Sequence, residues 1–328
     1  MLKKFCITIF LIILIQLRCL AQDINVAFTI DKNYPVFTQI AIFSILENNL
    51  SNNHYNFFIV EDNLTKRQKA EMKNLVKKRK QDITFLHIST DKIDHGFNFY
   101  ENEYLKGRIS RIGMARLLLP EILPDYVHKV IYLDSDVIVS DDLEKLYNTN
   151  LENNPLGMVI DIYSVRLYNN PDYYNSGVIV MDLDMWRDEK ITEKIIKYFH
   201  ENIFLFTGKN PKYAAPDQDL LNLLLKNRTT TLHLRWNNLT NMQGESLDDD
   251  GIHHYIGPIK PWLFKKETEE AFHLYYEYWN RSPLKKYKLF YYLKYRFFKK
   301  FLSFTQNSTT NKFDRRFWRK FSKKIQAF

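Results

Sequence analysis

The chain has 328 residues, 45% hydrophobic and 15% aromatic, with only 9 Gly and 10 Pro. This excludes a disordered or collagen-like protein and leaves room for one large domain or two small ones. The net charge of +9 is uneven: residues 281–328 carry fifteen Lys/Arg against one acid, Asp314, so the chain before them nets −5. A slightly acidic body argues against nucleic acid as a partner. The two cysteines, Cys6 and Cys19, leave the rest without a disulfide framework, a cysteine-zinc site or a thiol nucleophile.

Residues 1–22 begin Met1-Leu2-Lys3-Lys4, continue as an apolar run from Phe5 to Ile15, and end Cys19-Leu20-Ala21-Gln22. The run is shorter than the about 20 residues that span a bilayer. It resembles a signal peptide cut near Gln22, with a short anchor or a start codon placed too far upstream as rival readings. Beyond it, Ile24 to Ile30 predicts a strand, Val36 to Asn48 a helix, Tyr55 to Val60 a strand, Thr65 to Lys78 a charged helix and Ile83 to Ile88 a strand. This βαβαβ series is the signature of a parallel sheet between helices. Ser110 to Leu119 predicts a helix, Lys129 to Leu133 a central strand, Gly157 to Ile162 and Gly177 to Leu183 further strands, and Met185 to Asn202 and Asp217 to Asn227 helices. The sheet domain is expected to end near Trp262.

Four short motifs fall at the ends of these elements. Asp134-Ser135-Asp136 follows the central strand, where ligands bind in open α/β sheets, and two carboxylates so spaced suit one divalent cation as readily as a polar turn. His253-His254, Gly257 and Lys260 offer an imidazole for a metal and an ammonium for a phosphate. Asn175-Ser176-Gly177 opens a strand, and Pro216-Asp217-Gln218-Asp219 opens a helix, where acids ordinarily cap.

In this order, from about Ile24 to Trp262, the motifs resemble glycosyltransferase family 8, the retaining, metal-dependent nucleotide-sugar transferases. The resemblance implies a GT-A fold, a Rossmann-like α/β nucleotide-binding sheet with flanking helices. It implies Asp134, Asp136 and His254 as ligands of Mn²⁺ or Mg²⁺, with Gly257 and Lys260 on the diphosphate of a UDP-sugar donor. Asp31, Asn33 and Tyr34 would meet the uridine, Arg116 would lie near the donor sugar, and Asn175 and Asp217 would touch its hydroxyls. Gln218 would lie on the donor face opposite the leaving group and Asp161 near the acceptor, so that Gln218, Asp217 and Asp161 form the implied catalytic group. Met114, where many members have Tyr, and Asp182, where many have Asn, depart from the pattern and are expected to alter donor-pocket detail. The implied reaction moves a hexose, galactose or glucose, to a glycan or lipid-linked acceptor such as lipopolysaccharide. Retention follows from front-face attack or a glycosyl-enzyme; Gln218 is a poor nucleophile, which favours the former.

The basic tail predicts a helical segment from about Leu284. Lys285, Lys288, Arg296, Lys299 and Lys300 fall on one side, and Tyr287, Phe290, Tyr291, Phe297, Phe298, Phe301 and Leu302 on the other. The pattern, which Lys294 and Leu289 break, suits an anionic membrane surface, with a helix that caps the globule with its aromatics, or nucleic-acid contact, as rival readings. The organisation expected is therefore a hydrophobic segment (1–22), a glycosyltransferase domain (23–265) and a basic aromatic tail (266–328). Two other functions fit parts of the chain. Ile131 to Val137 also matches a haloacid-dehalogenase-like phosphatase motif, with Asp134 as nucleophile and Asp136 as general acid, and a non-catalytic membrane-bound sugar-binding module would keep the fold. Cytoplasmic UDP-sugars imply the cytoplasmic face of a bacterial inner membrane, whereas a cleaved leader would imply a secretory or lumenal enzyme; the expectation adopted is the former.

Overall fold

The computed structural model describes residues 22–89, 97, 111–164, 171–206, 215–240, 250–257, 260–263, 271–294 and 296. The N-terminal apolar segment as far as Ala21 and, of the tail, Phe297, Phe298, Lys299, Lys300, Phe301, Leu302 and all that follows lie outside them.

A seven-stranded sheet forms the centre, in the order β3-β2-β1-β4-β7-β6-β8. Its strands are β1 (Asp23–Asp31), β2 (His54–Asp62), β3 (Asp82–His87), β4 (Lys129–Leu133), β6 (Leu156–Ile160), β7 (Tyr174–Asp182) and β8 (Thr229–Thr231). β1, β2, β3 and β4 pair in parallel, as the alternating pattern predicts. β7 departs from that expectation, running antiparallel to both β4 and β6. Hydrophobic periodicity is the same read in either direction, so it carries no information on strand polarity. A second sheet of three strands, β5 (Val137–Val139), β10 (Ile252–Tyr255) and β9 (Asn238–Thr240), stands beside the end of β4.

Alternation along the strands divides the core. Ile24, Val26, Phe28, Ile131, Leu133, Val178 and Val180 face helices α1 (Pro35–Glu47) and α2 (Lys66–Lys77). Val130, Tyr132, Ile179 and Met181 face α4 (Ile191–Glu201), α5 (Pro216–Leu225) and the helical segments between Arg111 and Ile122. The long helix expected over 185–202 is two: α3 (Leu183–Asp188) and α4, separated by Lys190 with φ of 55°. Asp182 caps α3 through Met185 N–H at 2.9 Å. It pairs with Lys129, at the end of β7 remote from Gly177. Met114 is a fully buried core residue.

α1 is buried almost all round because its second face carries an aromatic cluster. Phe37, Ile40 and Phe43 pack with Tyr275, Tyr278 and Trp279 of α6 (His273–Arg281). Residues 285–294 continue as a helix, of which Tyr291 lies 5.0 Å from Phe37 and Tyr287 donates to Glu71 Oε1 at 2.6 Å. Two of the aromatics placed on the tail's membrane-facing side thus cover the globule. Leu289, Phe290 and Leu293 remain exposed. Among the described residues no helix is long and apolar enough to cross a membrane.

Candidate active site

The chemistry-bearing residues collect at one end of the sheet. β4 ends at Leu133 and delivers Asp134, antiparallel β7 begins there and delivers Asn175, Ser176 and Gly177, and α5 starts there with Asp217 and Gln218. β10 brings His254 opposite Val137, one residue past Asp136. The reversed direction of β7 is what places its first residues beside the carboxyl end of β4.

Asp134, Asp136 and His254 each offer a ligand atom, all within 4.8 Å of one another. One oxygen of each carboxylate is tied outward: Asp134 Oδ1 accepts from Arg116 Nη2 at 2.9 Å and the Tyr132 hydroxyl at 2.7 Å, and Asp136 Oδ2 accepts from Lys260 Nζ. The others face the imidazole, with His254 Nε2 3.8 Å from Asp134 Oδ2 and 3.4 Å from Asp136 Oδ1. His254 Nδ1 is engaged by Asn237 Oδ1 at 2.9 Å. With that nitrogen as donor, Nε2 turns its lone pair towards the point that two carboxylate oxygens face. Three convergent acceptors of this kind fit a divalent cation, and imidazole with carboxylate is a donor set that Mn²⁺ accepts.

Gly177 is what lets the imidazole in. A Cβ there would stand 2.1 Å from His254 Cε1, 2.7 Å from Nδ1 and 3.0 Å from Asp134 Oδ2. Gly257 differs: its φ of +82° demands glycine while the space around it is open.

Burial raises the Asp134 carboxyl, opposed by Arg116. Burial acts the same way on Asp136, but the Lys260 ammonium beside it outweighs burial and helps hold that carboxyl far below the usual range. Burial would likewise discharge Arg116, and Asp134 and Asp217 more than offset it. The guanidinium bridges the two acids, with Nε 3.1 Å from Asp217 Oδ2 and Nη1 donating to the Ser176 carbonyl at 2.7 Å. Its carbon lies 4.6 Å from the centre of the Tyr132 ring, a cation–π contact.

Asp161 is buried, with four donors: Tyr163 and Ser164 N–H on Oδ1, and Asn175 Nδ2 and Gln218 Nε2 on Oδ2, each at 3.2 Å. The Gln218 carbonyl accepts from Ser176 N–H at 3.0 Å. The two acids of the α5 motif divide their work. Asp219 takes the capping role, accepting from Ala215 N–H at 3.0 Å, while Asp217 faces Arg116 and the Ser176 hydroxyl. Asp31 and Asn33 grip one another at the end of β1: Asn33 N–H donates to Oδ1 at 2.9 Å and its amide to Oδ2 at 3.1 Å. Tyr34 packs edge-on to Trp262 at 6.2 Å, and burial with Asp136, Asp31 and Asp134 nearby pushes its hydroxyl up to about 12.

Sequence reasoning missed Tyr132, Ser176 and Asn237. Tyr132 reads as one more apolar residue of β4, and Ser176 reads only as a spacer between Asn175 and Gly177. Asn237, 2% exposed, sits among loop-like polar residues and carries no spacing signal.

The sequence matches the family model described as Glycosyl transferase family 8 over residues 25–266. It is 28% identical over 265 residues to the lipopolysaccharide 1,2-glucosyltransferase of Escherichia coli K12, covering 74% of this chain and 73% of that one. It is 24% identical over 276 residues to general stress protein A of Bacillus subtilis 168, covering 76% and 92%. Among solved structures, the galactosyltransferase LgtC in complex with donor and acceptor sugar analogues superposes with a TM-score of 0.64 at 23% identity, covering 79% of this chain and 96% of that one. A family match across the whole sheet domain sets aside the phosphatase, and the chain belongs to glycosyltransferase family 8.

Proposed function

We propose that the protein transfers a hexose, galactose or glucose, from a UDP-sugar to a glycan or lipid-linked saccharide such as lipopolysaccharide, with retention and with the aid of Mn²⁺ or Mg²⁺. The observation that carries this reading is the convergence of Asp134, Asp136 and His254 on one point beside Arg116. When bound there, the cation supplies a Lewis acid against the charge that builds on the UDP leaving group.

The chain's own residues account for the rest. Asp31, Asn33 and Tyr34 form a preset loop for the base, and Lys260, now on Asp136, lies with Gly257 where a diphosphate would arrive. Arg116, Asn175 and Asp217 line the donor-sugar side. Asp161, with its four donors, orients Gln218 and Asn175 near the acceptor. Both ends of the Gln218 amide are engaged, by Ser176 N–H and by Asp161, which supports front-face attack over a covalent intermediate on this side chain. The resemblance to a lipopolysaccharide 1,2-glucosyltransferase supports the acceptor class, and the proposed UDP-sugar donor, cytoplasmic in bacteria, supports a position at the cytoplasmic face of the inner membrane. Exposed Leu289, Phe290 and Leu293 beside Lys285 and Lys286 support contact of the tail with anionic lipid.

The test is UDP release from a panel of UDP-sugars, with Mn²⁺ and with EDTA, beside Asp134→Asn. Turnover of one sugar that needs the metal and falls at least 100-fold in the variant is expected. Metal-independent turnover equal in both proteins would overturn the reading.

A further inference from the structure

We infer that Asn237 is a positioning residue that sets the imidazole tautomer of His254, on instructions that begin at Asp161 on the other side of the site. The argument is one of hydrogen-bond direction and rests on the proposed metal role of His254 only for its functional meaning.

Asp161 receives two backbone N–H groups on Oδ1, at 3.2 Å from Tyr163 and 2.9 Å from Ser164, so it stands as an acceptor. Its Oδ2 therefore takes the amide nitrogen of Asn175 at 3.2 Å, not the oxygen. A second group agrees, because Gly177 N–H needs an acceptor and finds Asn175 Oδ1 at 2.9 Å. That oxygen also accepts from Asn237 Nδ2 at 2.8 Å, which turns Asn237 Oδ1 towards His254 Nδ1 at 2.9 Å. A carbonyl oxygen only accepts, so Nδ1 carries the proton, and in the neutral ring Nε2 is left as the lone-pair face. Asn175, Asn237 and His254 are 7%, 2% and 4% exposed, so water has little access to offer an alternative partner. The same Oδ2 of Asp161 takes Gln218 Nε2, which sends the Gln218 carbonyl to Ser176 N–H. One carboxylate thus orients the amides on the donor-sugar side and, two side chains further on, a ring nitrogen of the metal cluster. Partners of this kind are worth 10–100-fold in metal affinity where they have been removed from other sites.

The test uses the full chain labelled with ¹⁵N on histidine. Long-range ¹H–¹⁵N correlation, with His254 assigned by a His254→Gln control, reads the tautomer, and Mn²⁺ titration by electron paramagnetic resonance reads affinity. In the wild type the ring is expected to hold its proton on Nδ1. In Asn237→Ala and, separately, in Asp161→Asn, where an NH₂ can now point inward, Nε2–H is expected to become populated and Mn²⁺ affinity to fall at least 10-fold. A ring that keeps Nδ1–H in both variants, or is Nε2–H in the wild type, overturns the relay. Altered affinity in Asn237→Ala with the tautomer unchanged also overturns it, since loss of packing alone would do that. Should the wild type bind no Mn²⁺ while the tautomer responds as expected, the metal reading fails and the relay stands. Two variants are used because either one alone could fail to fold.

Discussion

Gly177→Ala is the smallest change that reaches the centre of the site. The new methyl would stand 2.1 Å from His254 Cε1, against the 3.4 Å at which ordinary contact begins, so the ring must retreat by about 1.3 Å. The backbone of β7 cannot give instead, because Val178 and Ile179 are locked in register with Leu133 and Tyr132. A shift of that size breaks the 2.9 Å bond to Asn237 and carries Nε2 away from one or both carboxylates. We expect Mn²⁺ affinity to fall at least 10-fold, about 1.4 kcal/mol, and UDP release at limiting metal to fall with it. Overpacking should also cost about 1–3 kcal/mol of stability. Paramagnetic resonance titration of Mn²⁺ and urea denaturation read the two effects. Affinity within twofold of wild type would refute the close-approach argument, whatever the stability.

Three further outcomes follow from other parts of the structure. Arg116→Lys keeps the charge but cannot reach Asp134, Asp217 and the Ser176 carbonyl together, so kcat/KM for UDP release should fall roughly 100-fold, about 2.7 kcal/mol; a loss under threefold in steady-state kinetics would contradict the bridge. Asp182→Ala removes the cap of α3 and should cost about 1 kcal/mol in urea denaturation while leaving donor KM unchanged, and a changed KM would return this residue to the donor pocket. Burial alone would raise the Glu47 carboxyl, but Arg79 and Arg281 outweigh it and hold it below its ordinary value. Its stabilisation is therefore present above the unfolded value and lost as pH falls through the folded one. Glu47→Gln should accordingly lower stability at neutral pH, by no more than about 1 kcal/mol for so exposed a pair, with the difference vanishing in acid. An undiminished difference at low pH would contradict this sign.

Elements with a clear apolar run or period were legible in the sequence: β4 has the bounds read from its apolar run, and α1 and the charged α2 agree within two residues. Direction was not legible, which is why β7 surprises. Nor was the break at Lys190, where a left-handed residue and the Asp182 cap outvote an amphipathic pattern that runs straight through. In the site, residues with unusual chemistry in short motifs declared themselves, and the structure gathers Asp134, Asp136 and His254. Asn237 did not, because a buried asparagine is defined by its partners at 175 and 254, and those meet only in three dimensions. The tail's aromatic face was visible, but which surface it covers depended on Phe37 and Glu71, more than two hundred residues earlier.

The reversed β7 has a consequence for how this gene can vary. Side chains along a strand alternate between faces, so inserting or deleting one residue between Gly177 and Met181 would turn Asn175 and Gly177 to the opposite side of the sheet in a single step. Length changes ahead of Tyr174 are not transmitted in that way, because the pairing of Val178 with Leu133 and of Val180 with Ile131 resets the frame downstream of them. Viable insertions in a mutational library should therefore accumulate before Tyr174 and stop abruptly at the strand.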